Sequence, residues 1–557
     1  MVAIACTIVA VMVLSVLYGR AMAHRTTARA LAARRARWGN PPADAREMDG
    51  VFRYHQLRRG ERRAGMLEDS EWRDLGMGAV HAHLDRAETF AGRARLHDRL
   101  RVPSTDLAAL RRFDAAVTLF EHDAAARERV QSVLASADPY GQDAILEVLH
   151  SRLPDPSPMR HVFPVVAGLT VAALAAIPFV PGAPAVALAL ALLSIVLRVA
   201  HGRRMLGWMA SLRATSALLR MASKLGALSI PPLDAELAAI RTARRRLATL
   251  ARTTSWLSID TLRGNEFVLM LIAYVNHFLL VDLAALHYAF RVLSRDLDVV
   301  RHVFESVGDL DAALAVASFR VGATGYGKPE LDPQATALRI DEVVHPLLEG
   351  AVPNSVHLEG RGMLITGPNM SGKSTFVKTV AINAVLAQTV YTTLARRYRA
   401  PLLRVRTLMN AVDDVQRGRS YYYAEVEGAK RLLAPSEPGT QTLVLVDELF
   451  RGTNTSERIG AGKAVLSALR VMGHHVLAST HDRELGALLH DDFEPYHFGE
   501  RVVDGELVFP FVLCAGPSTT RNAIALLRHA GFPEEVVAEA TRVTEQLEGG
   551  APADRGS

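Results

Sequence analysis

The chain has 557 residues, a formal net charge of +6 and a mean hydropathy of +0.12, with Cys6 and Cys514 as its only cysteines. That length allows several domains, and the cysteine count excludes both a disulfide framework and a cysteine metal cluster. The hydropathy is high for a purely soluble protein and fits a few apolar spans on a soluble body, while the basic surplus suits anionic lipid or nucleic-acid phosphates.

Residues 1–19 are uncharged and strongly apolar, and Arg20, Arg25, Arg29, Arg34, Arg35 and Arg37 follow with no acid before Asp44. A run of this length can span a hydrocarbon core. The positive flank predicts a cytoplasmic chain from Arg20 onward. Ala21-Met22-Ala23 offers a signal-peptidase site as the rival reading. The missing basic n-region and the long apolar run favour an uncleaved anchor.

A second apolar stretch, 162–197, carries no charge between Arg160 and Arg198 and is broken by the Pro/Gly-rich segment 178–184. It predicts a hairpin of two membrane helices with both ends cytoplasmic, flanked by Arg160 and by Arg198, Arg203 and Arg204. Each arm, at roughly 15 to 19 residues, is short for a full span, so a thin or re-entrant hairpin stays open. A third apolar run, 267–281, contains Asn276 and His277 and ends at Asp282. It reads as a buried helix of the cytoplasmic region, because one more crossing would carry the rest of the chain outside.

Residues 361–366 (RGMLIT) read as a short buried strand. They run into Gly367-Pro368-Asn369-Met370-Ser371-Gly372-Lys373-Ser374-Thr375, a complete G-x-x-x-x-G-K-[ST] loop, followed by an apolar-rich helix from Phe376. Strand, glycine loop and helix in that order form a phosphate cradle. Backbone N–H groups between Gly367 and Gly372 can wrap phosphate oxygens, and the helix dipole points at the same oxygens. Lys373 reaches the β/γ-phosphates and the Ser374 hydroxyl ligates Mg²⁺. Nucleotide binding follows, with ATP and Mg²⁺ as the expected ligands.

Downstream, 442–448 (TLVLVDE) is an apolar strand ending in two carboxylates. Asp447 is placed to hold Mg²⁺ through water, and Glu448 to orient or deprotonate the attacking water. A third apolar segment, 475–478, leads to Ser479-Thr480-His481. The strand order puts His481 where it can sense the γ-phosphate. No discrete basic–aromatic nucleic-acid motif stands out.

The stretches ITGPNMSGKST, DDVQRGRSYYYAEVE (413–427), LVDELFRGTNT (445–455) and STHDREL (479–485) resemble the ATPase domain of the MutS family of mismatch-repair proteins. The resemblance spans about 345–540. It implies an ABC-type composite-site ATPase, with nucleotide held between two ATPase domains of a homodimer. Ser420 would then reach the partner's γ-phosphate, and Arg451 to Thr455 would line the interface. DNA becomes an implied partner.

Three departures stand out. Ala351 occupies the place of an adenine-stacking aromatic, Phe450 that of a glycine, and Ser456-Glu457-Arg458 that of Tyr-Asp-Gly. Fainter likenesses run through Leu84-Asp85-Arg86, Thr89 and Gly92, and through 306–319, which resemble the opening and closing parts of the family's helical core. The family's mismatch-reading domain is expected to have no room before residue 66, and no Phe-x-Glu occurs in that stretch; Phe498-Gly499-Glu500 lies far downstream.

The expected fold is an α/β P-loop (ABC-type) ATPase domain preceded by an α-helical core/lever domain with transmembrane helices. The layout is an anchor at 1–19, a cytoplasmic helical region at 20–160, a membrane hairpin at 162–197 and a lever region at 198–325. The ATPase domain follows at 326–515, then a helical dimerisation segment at 516–548 and a disordered tail at 549–557. The expected location is the cell membrane, multi-pass in the lipid bilayer, with the ATPase in the cytoplasm. Two functional readings stand: a membrane-tethered ATPase acting on DNA, or a mechanochemical membrane ATPase acting on its hairpin or a protein partner.

Overall fold

The computed structural model describes residues 29–43, 46–58, 60, 65–136, 141–154, 159–255, 278–409, 421–435, 439–503, 506–517, 527–528 and 531–549. The predicted anchor at 1–19, residues 267–277 of the third apolar run, Ser420 and the tail beyond Gly549 lie outside the described residues. The chain divides into two compact units. One comprises Met1–Glu61, Ala82–Asp98 and Arg112–Ala323; the other comprises Arg62–His81, Arg99–Arg111 and Thr324–Ser557.

The first unit is helical among its described residues. Its long members are α1 (Met159–Ala176), α2 (Ala183–Gly226), α3 (Asp234–Arg246) and α4 (Val281–Gly322), the last kinked at Asp296. The apolar stretch 162–197 does form two helices joined by a turn, but α2 does not stop at its end. It continues unbroken to Gly226, a 44-residue helix. By length and composition, Ala183–His201 is long and apolar enough to cross a membrane, whereas the apolar part of α1, His161–Ala176, is shorter. In α1, Phe163, Val166, Thr170 and Ala173 form the buried stripe that helical spacing predicts, while Val165, Leu169, Val171 and Leu174 are exposed. At the cytoplasmic end expected for the hairpin, Arg198 makes a two-pronged ion pair with Asp282 of α4, at 2.7 and 3.2 Å.

Two sequence fragments more than 200 residues apart interlock in this unit. The fully buried Asp311 carboxylate of α4 accepts hydrogen bonds from Glu88 N (3.0 Å), Thr89 N (2.7 Å) and Thr89 Oγ1 (2.6 Å). A side chain at Gly92 would overlap Asp311, and one at Gly308 would overlap the Ala91 carbonyl. Both glycines are there because the two backbones pass too close for a Cβ.

The second unit is α/β. A six-stranded sheet has the order β12-β9-β4-β8-β7-β6: β4 (Gly362–Thr366), β6 (Leu403–Leu408), β7 (Gln441–Asp447), β8 (His475–Ser479), β9 (Phe493–Phe498) and β12 (Leu513–Ala515). All neighbours pair in parallel except β12, which is antiparallel to β9. Strands β4 and β8 are buried at every position, as expected for parallel strands covered on both faces. Helices α5 (Lys373–Thr389), α6 (Tyr421–Leu432) and α7 (Thr455–Val471) belong to the same unit. A smaller sheet of β1 (Glu330–Leu331), β5 (Arg397–Ala400), β2 (Leu338–Val343) and β3 (Asn354–Leu358), in that order, lies in the same unit. A two-stranded ribbon, β10 (Arg501–Val503) with β11 (Glu506–Val508), completes its described strands.

Segments that the sequence assigned to the helical region at 20–160 pack into this α/β unit instead. The buried Asp74 carboxylate accepts from Thr407 Oγ1 (2.7 Å) and Met409 N (3.3 Å), and Ser104 N donates to the Gln388 carbonyl (2.8 Å). These contacts tie the segments to β6 and its flank.

Candidate nucleotide site

The carboxyl ends of parallel strands are where α/β sheets collect ligands, and here three such ends converge. Ile365 of β4 is in register with Ser479 of β8, and Ser479 is in register with Asp447 of β7. The loop after β4, the acidic pair after β7 and the histidine after β8 therefore open on one edge. Two backbone hydrogen bonds fix the edge beyond the strands: Glu448 N donates to the Ser479 carbonyl (2.9 Å) and Thr480 N to the Ile365 carbonyl (3.0 Å).

The loop itself needs its glycines. Gly367 (φ 142°) and Gly372 (φ 104°) have left-handed backbones, as does Met370 (φ 69°). A side chain at Gly367 would overlap the Phe498 carbonyl, and one at Gly372 would press on the Phe511 ring. Helix α5 starts at Lys373 with no side-chain cap, so its first N–H groups remain available to an anion. Lys373 is 5% exposed, and its Nζ donates to the carbonyls of Gly367 (2.7 Å) and Pro368 (2.8 Å). Burial lowers its pKa; nearby Glu448 and Asp447 oppose that shift. Ser371 is buried and its hydroxyl has no hydrogen-bond partner among the described residues, whereas Asn369, Met370 and Thr375 are exposed.

Asp447 is buried and accepts from the Ser479 hydroxyl. Glu448, in a left-handed conformation (φ 55°), turns its carboxylate towards Arg451 and His481. Arg451 Nη2 lies 2.6 Å from Glu448 Oε2, and His481 Nδ1 lies 3.3 Å from the same oxygen. The loop after Glu448 is held from α6, where buried Glu425 accepts from Arg451 N (3.1 Å) and Gly452 N (3.3 Å). Phe450, which stands where the resemblance leads one to expect glycine, has φ 58°. It bears that left-handed backbone with its ring buried, edge-on to Tyr422.

A cavity of about 540 Å³ lies over the loop, of a size suited to a nucleotide. Its walls include Lys373, Ser374, Glu448 and Arg451 together with His345, Ala351, Asn354 and Phe511. The cradle fits phosphates: glycines at the points of closest approach, a lysine and a free helix start. Among the described residues no group of three or more His, Cys, Asp or Glu side chains could hold a metal. Ser374 and Asp447 are oxygen donors of the kind that suits Mg²⁺.

The structure thus brings together Gly367 to Thr375, Asp447, Glu448 and His481, and Ser420 lies outside the described residues. Sequence reasoning missed His345, Asn354, Phe511 and Glu425. Asn354 donates to the Phe511 carbonyl (2.9 Å) and accepts from Leu513 N (2.7 Å), which sets Phe511 beside the loop. Nothing local in 509–515 announces that role; only the pairing of β12 with β9 carries it there. For Glu425, nothing local in the sequence separates it from Glu427 two residues on.

Fold and site together define a P-loop nucleotide-binding domain of the parallel-sheet class. Residues 363–548 match the family model of MutS domain V. The chain is 32% identical over 257 residues to the DNA mismatch repair protein MutS of Thermus aquaticus, covering 45% of this chain and 31% of that protein. It is 34% identical over 283 residues to the MutS of Anaeromyxobacter dehalogenans, covering 46% and 32%. With the DNA mismatch repair protein MSH3 of Phaeosphaeria nodorum it shares 32% identity over 284 residues, covering 48% and 25%. These matches support kinship with the MutS family over about half of this chain, and the matched regions span about a third or less of those relatives' length.

Proposed function

We propose that this protein binds and hydrolyses ATP as a MutS-like, membrane-anchored homodimer with its ATPase domain in the cytoplasm. The observation that carries the reading is the meeting of the glycine loop, Asp447, Glu448 and His481 on one sheet edge. Loop N–H groups, Lys373 and the start of α5 hold the phosphates. Mg²⁺ on Ser374 and Asp447 would neutralise charge as the terminal phosphoryl group leaves. Glu448 orients the attacking water, and His481, touching the same carboxylate, reports the state of the γ-phosphate. Ser420 of one subunit completes the site of the other. DNA is the substrate surface that kinship with mismatch-repair proteins suggests.

A second reading has its own support. The exposed apolar residues of the α1–α2 hairpin, with Phe179 at 84% exposure at its turn, sit on helices continuous with the long helical unit. Such an arrangement suits an ATPase that moves a membrane element or a protein partner without DNA. Fluorescence anisotropy of the detergent-solubilised protein with duplex, mismatched and branched DNA at two salt concentrations separates the two. Salt-dependent binding that responds to ATP favours the DNA reading. Binding to none of the three favours the membrane reading.

A further inference from the structure

The helical unit contains a cavity of about 600 Å³ whose lining includes four arginines, Arg34, Arg37, Arg46 and Arg86, against one acid among the described residues, Glu88. Arg46 is accounted for by Asp85 (3.3 Å) and the Ala87 carbonyl (2.7 Å). The other three have no carboxylate partner among the described residues. Arg86 gives Nη1 to the Ser318 carbonyl and hydroxyl, but its Nε is buried with no hydrogen-bond partner among the described residues. Burial pulls its pKa down to about 10. A half-buried guanidinium without a counter-charge among the described residues carries a desolvation cost, and an anion in the cavity would relieve it.

The wall is built rather than incidental. Arg35 pairs with Glu128 through two bonds (2.6 and 2.8 Å), fixing the helical segment 29–37 to the helix Ala124–Leu134. The Arg127 guanidinium lies 4.3 Å from the centre of the Trp38 ring, which holds Trp38 at the cavity edge. The chain then turns at Gly39 (φ 86°), whose N–H donates to Ser318 Oγ (3.1 Å), and Gly322 lacks the Cβ that would block the Gly39 carbonyl.

We infer that this cavity binds a phosphate-bearing anion, held by Arg34, Arg37 and Arg86. Guanidinium forks match phosphate oxygens in bidentate geometry, and the volume exceeds that of a simple ion and suits a phosphorylated small molecule or the headgroup of an anionic lipid. The site is independent of the ATPase loop.

The test uses the full chain in detergent, with Lys373→Ala to remove phosphate binding at the nucleotide loop. Inorganic pyrophosphate is titrated calorimetrically, and flotation is measured with phosphatidylcholine vesicles containing or lacking phosphatidic acid. Arg34→Gln with Arg37→Gln is the informative variant, since neither side chain bonds to another described residue. Arg339→Gln with Arg396→Gln, in the other unit, is the charge-matched control. Saturable pyrophosphate binding that weakens at least tenfold in the Arg34/Arg37 variant, and not in the control, supports the site with a soluble ligand. Preference for phosphatidic acid lost only in that variant, without pyrophosphate binding, supports it with a lipid headgroup. Absence of both signals, or survival of either after the double substitution, overturns the proposal.

Discussion

Glu448→Gln isolates the chemical step from the fold. The substitution preserves shape and removes one negative charge from a side chain whose ionic neighbours are Arg451 at 2.6 Å and His481 at 3.3 Å. Both partners are about half exposed, at 45% and 48%, so solvent screening limits the lost attraction to about 1 kcal/mol or less. Stability and the phosphate cradle should therefore persist. A positioned general base contributes about 10²–10⁴ in rate, equivalent to about 3–5 kcal/mol of barrier. The expected outcome is ATP binding close to wild type, measured by equilibrium titration with Mg²⁺, and single-turnover hydrolysis slowed about a hundredfold or more. A thermal melt run alongside should move little. Hydrolysis at the wild-type rate in a variant that still binds ATP would refute the role given to Glu448.

Three further outcomes follow from other parts of the molecule. Ser420→Ala and Lys373→Ala should each abolish most turnover, yet mixing the two should restore up to about half of it per mixed dimer, because such a dimer keeps one site with Lys373 in cis and Ser420 in trans and one site lacking both. No recovery despite verified mixed dimers would remove the trans role or show that both sites must act together. Reporter fusions after Arg37, after Arg204 and at the C-terminus should report cytoplasm while one near Gly182 reports the exterior; a cytoplasmic signal at Gly182 would make the hairpin re-entrant or non-membrane. Burial raises the Glu71 pKa from 4.5 to about 7, so its folded form holds a proton that the unfolded chain releases. That contribution is complete below about pH 4.5 and lost as pH rises through about 7, a change of up to about 3 kcal/mol. Glu71→Gln should flatten this part of the stability–pH curve, and an unchanged slope in chemical denaturation would count against it.

The site was legible because its chemistry is local. A glycine loop between strand and helix, and two acids at a strand end, are each written in under a dozen consecutive residues. Their convergence on one edge then follows from parallel strand order. What could not be read depends on distance. Phe511 and Asn354 meet through pairing between segments 157 residues apart, and Asp74 reaches Thr407 across 333. Residues 62–81 and 99–111 read as helix in sequence, and only those long-range bonds show that they belong with the sheet. The likeness at Thr89 and Gly92, by contrast, gained a physical cause: Thr89 donates to Asp311, which lies within 306–319, and Gly92 leaves room for that carboxylate. The hairpin was visible as a charge-free run, but helix α2 has no stop at residue 197, since Arg198 onward contains no helix breaker strong enough to end it before Gly226.

The account rests on ATP turnover at the loop between Gly367 and Thr375. Its most direct test is steady-state phosphate release by the purified full-length protein, with and without Mg²⁺, beside Lys373→Ala. Turnover that requires Mg²⁺ and is lost in Lys373→Ala is the predicted result; turnover unaffected by the substitution, or no Mg²⁺-dependent release from a folded protein that binds ATP, would contradict it.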